Sequence, residues 1–168
     1  MKKWVALFSN SGKELAEVID KIGIEPDLVL CDEVRTDWDK RLGSVQISPA
    51  KEIECLLKNL HEDTLVTLHG YWRLLKASEI KAKIYNVHPG DIFKYPELKG
   101  IHPQKKAIEL ELESTGVLIH RVDDTVDGGT PELFSDYIIH KGTTVDELTE
   151  DLRHEAVKLW QIFFVGKL

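Results

Sequence analysis

The sequence predicts an α/β fold: an open, mostly parallel twisted sheet with helices on both faces and antiparallel strands near the C-terminal end. Three observations predict it. Short apolar runs alternate with stretches of helical period, the pattern of strands joined by crossover helices. The apolar runs end in turn-forming clusters, Ser9-Asn10-Ser11-Gly12 after the first and Pro89-Gly90 after a later one. No internal repeat, linker or low-complexity segment interrupts the 168 residues, so residues 1–168 read as one domain with enough length for a good core.

Lys3 to Phe8 is the first strand. Lys13 to Ile22 carries Leu15, Ala16, Val18, Ile19 and Ile22 at helical spacing. Asp27 to Cys31 is the second strand, and Asp32 to Gly43 is polar and irregular. Ser44 to Ser48 reads as a short strand, and a helix runs from Ser48-Pro49 to Leu60, with Pro49 in the tolerated first turn. Thr64 to Leu68 is a central strand, Lys76 to Ile80 a short helix, and Lys83 to His88 the next strand. Pro89 to Ile101 is a long connection of the kind that carries function in a compact domain. Gln104 to Glu113 is helical. Gly116 to Val122 and Leu133 to His140 read as neighbouring antiparallel strands. Thr144-Val145-Asp146-Glu147 is a capping box. It opens a last helix with Leu148, Leu152, Ala156, Val157, Trp160 and Phe163 on its apolar face.

Composition narrows the function classes. Hydrophobic residues at 42% and charged residues at 30% are those of a soluble globular protein. No apolar run reaches the length of a membrane span, and the apolar start is too short for a signal peptide. A cytoplasmic protein is expected. Cys31 and Cys55 read as reduced structural thiols, and no metal-ligand spacing appears among Cys, His and carboxylates. A formal charge of −7 argues against nucleic-acid binding, which needs basic surface to neutralise phosphates. A small anionic ligand at one local site remains compatible with it.

The chemistry gathers at two places. Asn86 and His88 are two apart on a strand, so they share one face, and Pro89-Gly90 ends the strand beneath them. Asp127 precedes Gly128-Gly129 in a loop able to bring backbone and carboxylate close to a ligand. An amide, an imidazole and a carboxylate are the groups needed to move an acyl unit onto an amine. Taken singly, Asn-x-His is more often a satisfied hydrogen-bonding pair, and Asp-Gly-Gly a turn. The turn Ser9 to Glu14 leads into a helix whose first N–H groups suit an anion, with Lys13 as cation and Ser11 as hydroxyl. Such a turn is more often only a cap. It is neither a P-loop nor the three-glycine dinucleotide fingerprint.

Taken in order, these segments resemble the folate-dependent formyltransferase family. That family has a Gly/Ser/Asn turn after strand one, matched by Ser9 to Glu14. Its Gly-aromatic-x-Arg-Ile/Leu-Leu segment is matched by Gly70-Tyr71-Trp72-Arg73-Leu74-Leu75. Its Asn-x-His-Pro and Lys-Tyr-Pro-x-Leu runs are matched by Asn86 to Pro89 and Lys94 to Leu98. Its Asp-x-x-Asp-Gly-Gly loop is matched by Asp124 to Gly129. The similarity covers nearly the whole chain, and the layout is closest to the purine-pathway branch.

The resemblance implies a Rossmann-like formyltransferase fold and 10-formyltetrahydrofolate as donor, with no metal. It implies Asn86, His88 and Asp127 as catalytic residues. It places Arg73, Leu74, Leu75, Asp123, Asp124, Thr125, Val126, Gly128 and Gly129 around the pterin. Ser11, Gly12 and Lys13 would hold the phosphate of a small amine acceptor such as phosphoribosylglycinamide. His102, and Glu155 or its neighbour His154, would line the acceptor side. No nucleic acid or membrane partner is implied, and the assembly would be a monomer or homodimer. Tyr71 and Trp72 are expected to pack rather than stack on the pterin, His69 to stand behind the site, and His61, His120 and His140 to be structural or exposed.

Three departures stand out. The stretch from Cys31 to Thr64 is short for the purine branch, one residue is added after Leu98, and Glu14 sets a negative charge in the phosphate turn. Alternatives to formyl transfer are a formyltetrahydrofolate hydrolase, using the same three groups with water as acceptor, and a non-catalytic folate-binding module. An amino-sugar nucleotide is a further candidate acceptor.

Overall fold

The computed structural model describes residues 3–34, 37–165 and 167. Seven strands form one sheet: β1 (Trp4–Phe8), β2 (Leu28–Cys31), β3 (Gln46–Ile47), β4 (Leu65–Leu68), β5 (Lys83–His88), β6 (Ser114–Arg121) and β7 (Thr130–Ile138). The spatial order is β3-β2-β1-β4-β5-β6-β7. The pairs from β3 to β5 are parallel, and those of β6 with β5 and β7 are antiparallel. The expected α/β architecture with antiparallel strands near the C-terminal end is what forms. Helices α1 (Lys13–Ile22), α2 (Ala50–Lys58), α3 (Pro103–Glu109) and α4 (Val145–Phe164) cover its faces.

The period of two along β1 builds both cores. Trp4, Ala6 and Phe8 face α1 and α4, where they meet Leu15, Val18, Leu152 and Trp160. Val5 and Leu7 face the other side, with Leu30, Val66, Ile53 and Leu57 around α2. A strand buried on both faces reads as a continuous apolar run, and all five residues of β1 are buried. Aromatic rings close the first core: Trp4 lies 4.6 Å from Phe164, and Tyr85 4.7 Å from Phe163. Apart from the Trp4 indole N–H, which donates to Thr67 Oγ1 at 2.8 Å, the side chains of β1 are apolar, so the sheet is held by its ladders and by this packing.

The capping box at the start of α4 forms as its sequence predicts. Thr144 Oγ1 accepts the Glu147 N–H at 3.2 Å, and the Glu147 carboxylate accepts the Thr144 N–H at 2.9 Å. Thr144→Ala should cost about 1 kcal/mol, read as a lower midpoint in urea. An unchanged midpoint would mean the box adds nothing to α4.

Several boundaries differ from expectation. Lys76 to Ile80 holds only a 3-10 turn, Ala77–Glu79, and the loop after His88 holds another, Pro96–Leu98. Helix α3 stops at Glu109 because Glu111 turns left-handed, with φ 50°, and Leu112 N–H bonds back to Ala107 O. That is a Schellman-type stop without the usual glycine. β7 starts early, at Thr130, and takes in Pro131. An edge strand tolerates the missing N–H, and the register slips between Ile119 and His120 beside it.

Candidate active site

β5 delivers Asn86 and His88 to the carboxyl edge of the parallel strands. His88 is buried, and both its ring nitrogens face acceptors. Nε2 lies 2.8 Å from Leu98 O, and Nδ1 3.3 Å from Asp127 Oδ1. Each nitrogen donates when the ring carries both protons. Gly90 makes the first contact possible: a Cβ there would stand 3.0 Å from His88 Nε2 and 3.2 Å from Leu98 Cβ. The other Asp127 oxygen accepts the Gly100 N–H at 2.6 Å. The long connection after β5 thus folds back to supply a carbonyl and an amide to the pair.

Burial pushes the Asp127 carboxyl up, but the hydrogen bond and charge of His88 and the Gly100 N–H outweigh it. The net result is a value below the usual carboxylate one. Asn86 Nδ2 lies 3.3 Å from His120 Nε2 on the adjoining strand, where the two residues are register partners. Burial lowers the His120 value, which keeps that imidazole neutral and able to accept the amide proton. His120 was expected to be structural or exposed; it is buried, and it lies against a site residue. The signal was available, since a residue directly opposite Asn86 on the antiparallel neighbour must share its face.

The loop carrying Asp127 is internally braced. Asp123 accepts the Thr125 N–H at 2.8 Å and its O–H at 2.6 Å. Asp127 itself is left-handed, with φ 47°. Gly129, at φ 91°, comes so close to β6 that a Cβ would stand 1.9 Å from Arg121 O. Gly129→Ala should therefore cost about 2 kcal/mol and pull Asp127 off His88. Thermal melting tests this, and an unaltered midpoint would show the loop can move aside.

Asp124 joins this loop to the other segment expected at the pterin. It accepts the Ser78 N–H at 2.9 Å and O–H at 2.6 Å, just beyond Leu75. Leu74 and Val126 are exposed and Leu75 is buried, so the two segments offer apolar surface beside polar backbone. Trp72 is also exposed, at 65%, against the expectation that it packs; Tyr71 is the one turned inward. Burial, and then the charge of Asp32, push the Tyr71 hydroxyl up to about 12. The Arg73 side chain is exposed but tethered: its Nε–H donates to Asp32 at 2.7 Å.

The turn after β1 differs most from expectation. Gly12, at φ 66°, caps α1, and its N–H is taken by Asn10 Oδ1 at 2.9 Å. Ser11 is exposed. Lys13 pairs with Glu150 at 3.1 Å. Glu14 does not face the turn. Its Oε1 lies 2.9 Å from Nδ1 of the fully buried His69 and accepts the Trp160 indole N–H at 3.1 Å. The expected negative charge at the turn is therefore drawn into the core by a buried imidazole.

His102, at φ 57°, is exposed at the start of α3, two residues from Gly100. Glu155 is engaged by Ser135 and Lys158, and His154 lies beside Arg153. A cavity of about 340 Å³ whose charged lining is Glu62, Asp63, Lys81, Lys83, Arg121 and Lys167 opens elsewhere, beside the starts of β4 and β5. Among the described residues no cluster of His, Cys, Asp and Glu could hold a metal ion.

Comparison with known proteins bears on this geometry. The phosphoribosylglycinamide formyltransferase of Escherichia coli K12 is 30% identical over 94 residues, covering 54% of this chain and 43% of that protein. That of Haemophilus influenzae is 25% identical over 185 aligned positions, covering 96% and 85%. The trifunctional purine biosynthetic protein adenosine-3 of Chironomus tentans is 34% identical over 93 residues, or 54% of this chain and 7% of that one. The matched region thus spans less than half of the Escherichia coli and Chironomus proteins. The solved phosphoribosylglycinamide formyltransferase of Streptococcus pneumoniae TIGR4 superposes with a TM-score of 0.84 at 23% identity, covering 99% of this chain and 98% of that one. It shares the fold. The model of the formyl transferase family matches residues 39–161, a span that includes Arg73, Asn86, His88, His120 and Asp127, and the chain belongs to that family.

Proposed function

We propose that this chain transfers the formyl group of 10-formyltetrahydrofolate to a small amine, with phosphoribosylglycinamide the leading acceptor. The observation that carries the reading is the His88–Asp127 pair, 3.3 Å apart and beside Asn86 at the carboxyl edge of the sheet. The names of the relatives support formyl transfer and the acceptor; the donor is what the family resemblance implies.

In the proposed reaction the amine lone pair attacks the formyl carbon, and the carbonyl π pair moves onto oxygen. The Asn86 amide donates to that oxyanion, a contribution of roughly 10²–10³ in rate. His88 is committed to Leu98 O and Asp127, so it holds Asp127 in place rather than bonding the oxyanion directly. The ammonium proton passes to Asp127, directly or through one water, an acid–base contribution of about 10²–10⁴. The bond from carbon to the folate nitrogen then breaks, and a proton goes to that nitrogen.

The two segments tied by Asp124 and Ser78 would hold the pterin between Leu74 and Val126. The first turn of α1, with Ser11, Gly12 and Lys13, would take the acceptor's phosphate, for which the Gly12 N–H must leave Asn10 and Lys13 must leave Glu150. An exposed ion pair of this kind is worth under about 1 kcal/mol, so the exchange is cheap. The same reading treats residues 1–168 as one catalytic domain working in the cytoplasm. Among the described residues no helix is long and apolar enough to cross a membrane.

The test incubates the protein with 10-formyltetrahydrofolate and a panel of amines and follows products by mass spectrometry. Formylated phosphoribosylglycinamide is the expected product. Donor loss without any amine would replace the reading with hydrolysis, and folate binding without turnover would replace it with a binding module.

A further inference from the structure

We propose that Asp32, at the carboxyl end of β2, is a positioning residue for the formyl donor; this rests on the reading of residues 70–75 as part of the donor site. The Asp32 side chain is 0% exposed, yet it carries a carboxylate. Burying such a group is costly unless its oxygens are satisfied. Oδ1 accepts the Ser9 O–H at 2.5 Å, and Oδ2 accepts the Arg73 Nε–H at 2.7 Å. Ser9 passes the constraint on, because its Oγ accepts the Trp72 N–H at 3.2 Å and its own N–H donates to Gly70 O at 3.2 Å.

One buried carboxylate therefore fixes Arg73 by its side chain and Trp72 by its backbone. Residues 70–75 belong to no helix or strand, so no ladder holds them. Their exposed edge is Trp72 and Leu74, on either side of Arg73, while Tyr71 and Leu75 are buried. If Arg73 lets go, that edge turns with it. Gly70, at φ 69°, seats the segment against the turn after β1, where a Cβ would stand 2.1 Å from Asn10 Nδ2. Asp32 thus holds the donor segment to the turn that carries Ser11 and Gly12. Arg73 acts through this ion pair, not by reaching for the pterin.

The test uses folinic acid, a stable relative of the donor, titrated into wild type, Asp32→Asn, Arg73→Gln, Ser9→Ala and the Asp32→Asn/Arg73→Gln double variant. Circular dichroism confirms each fold. Asp32→Asn and Arg73→Gln should each raise Kd about tenfold, and the double variant no further, because both break one interaction. Ser9→Ala should raise it a few-fold. With the formyl donor itself, KM should rise in parallel while kcat stays within about twofold. A purely structural role would lower melting temperature and leave Kd alone. If Asp32→Asn does not fold, Arg73→Gln and Ser9→Ala decide the matter alone. Unchanged Kd in those two, on a wild type that binds, overturns the proposal; so does a double variant whose losses multiply. A wild type that does not bind folinic acid overturns the donor reading and this proposal together.

Discussion

Replacing Asp127 by Asn is expected to lower kcat about a thousandfold while donor binding survives. The substitution is nearly isosteric, and an amide oxygen can still accept the Gly100 N–H that the carboxylate now takes at 2.6 Å. Gly129 and the Asp123–Thr125 hydrogen bonds, which shape the loop, are untouched. What disappears is the charge opposite His88 and the base that receives the amine proton. With Asn there, the imidazole has no anion beside Nδ1.

The pH dependence follows from the same pair. The Asp127 value is lowered on folding, so its contribution to stability is present above about pH 4 and is lost as pH falls through the folded value. Wild type and Asp127→Asn should therefore differ in stability at neutral pH and converge in acid. Single-turnover formyl transfer at saturating donor is the decisive measurement. A rate within tenfold of wild type would remove Asp127 from the proton pathway.

The periodic elements were legible in the sequence and the contacts at their ends were not. β1 could be read because a strand buried on both faces has no polar interruption, and α1 and α4 because their apolar residues recur at helical spacing. Asn86 and His88 could be placed on one face by the period of two alone. The partners of His88 could not: Leu98 and Gly100 contribute backbone groups, which carry no residue-type signal, from the far end of an irregular loop. The end of α3 was missed because Glu111 occupies a left-handed position that glycine normally marks. Arg73 was placed at the ligand by the family resemblance, and Glu14 by its position in the turn after β1. Their direction is set by buried partners from distant parts of the chain, Asp32 for Arg73, and His69 and Trp160 for Glu14.

Glu14→Leu is expected to destabilise the protein by about 3 kcal/mol, lowering the melting temperature by roughly 6–12 °C for a domain of this size. The reason is a polar chain through the core beneath α1. Trp4 Nε1–H donates to Thr67 Oγ1 at 2.8 Å, and Thr67 Oγ1 lies 2.9 Å from His69 Nε2. His69 Nδ1 and the Trp160 indole both meet Glu14 Oε1. One proton arrangement satisfies every member: the Thr67 hydroxyl donates to Nε2, and His69 carries its proton on Nδ1 for Glu14. Leucine at position 14 strands two N–H donors, both on fully buried rings. Glu14→Gln keeps an acceptor oxygen and should lose only about 1 kcal/mol. Removing both ends of one contact in Glu14→Leu/His69→Leu should recover only part of the loss, since the imidazole donor is gone but the Trp160 indole N–H still lacks its acceptor. Equal melting temperatures for wild type and Glu14→Leu would mean the chain adds nothing to stability. Turnover in the double variant then reports separately on the turn. If the amides of α1 hold the acceptor, activity should persist well below the melting temperature, because Glu14 already faces away from them.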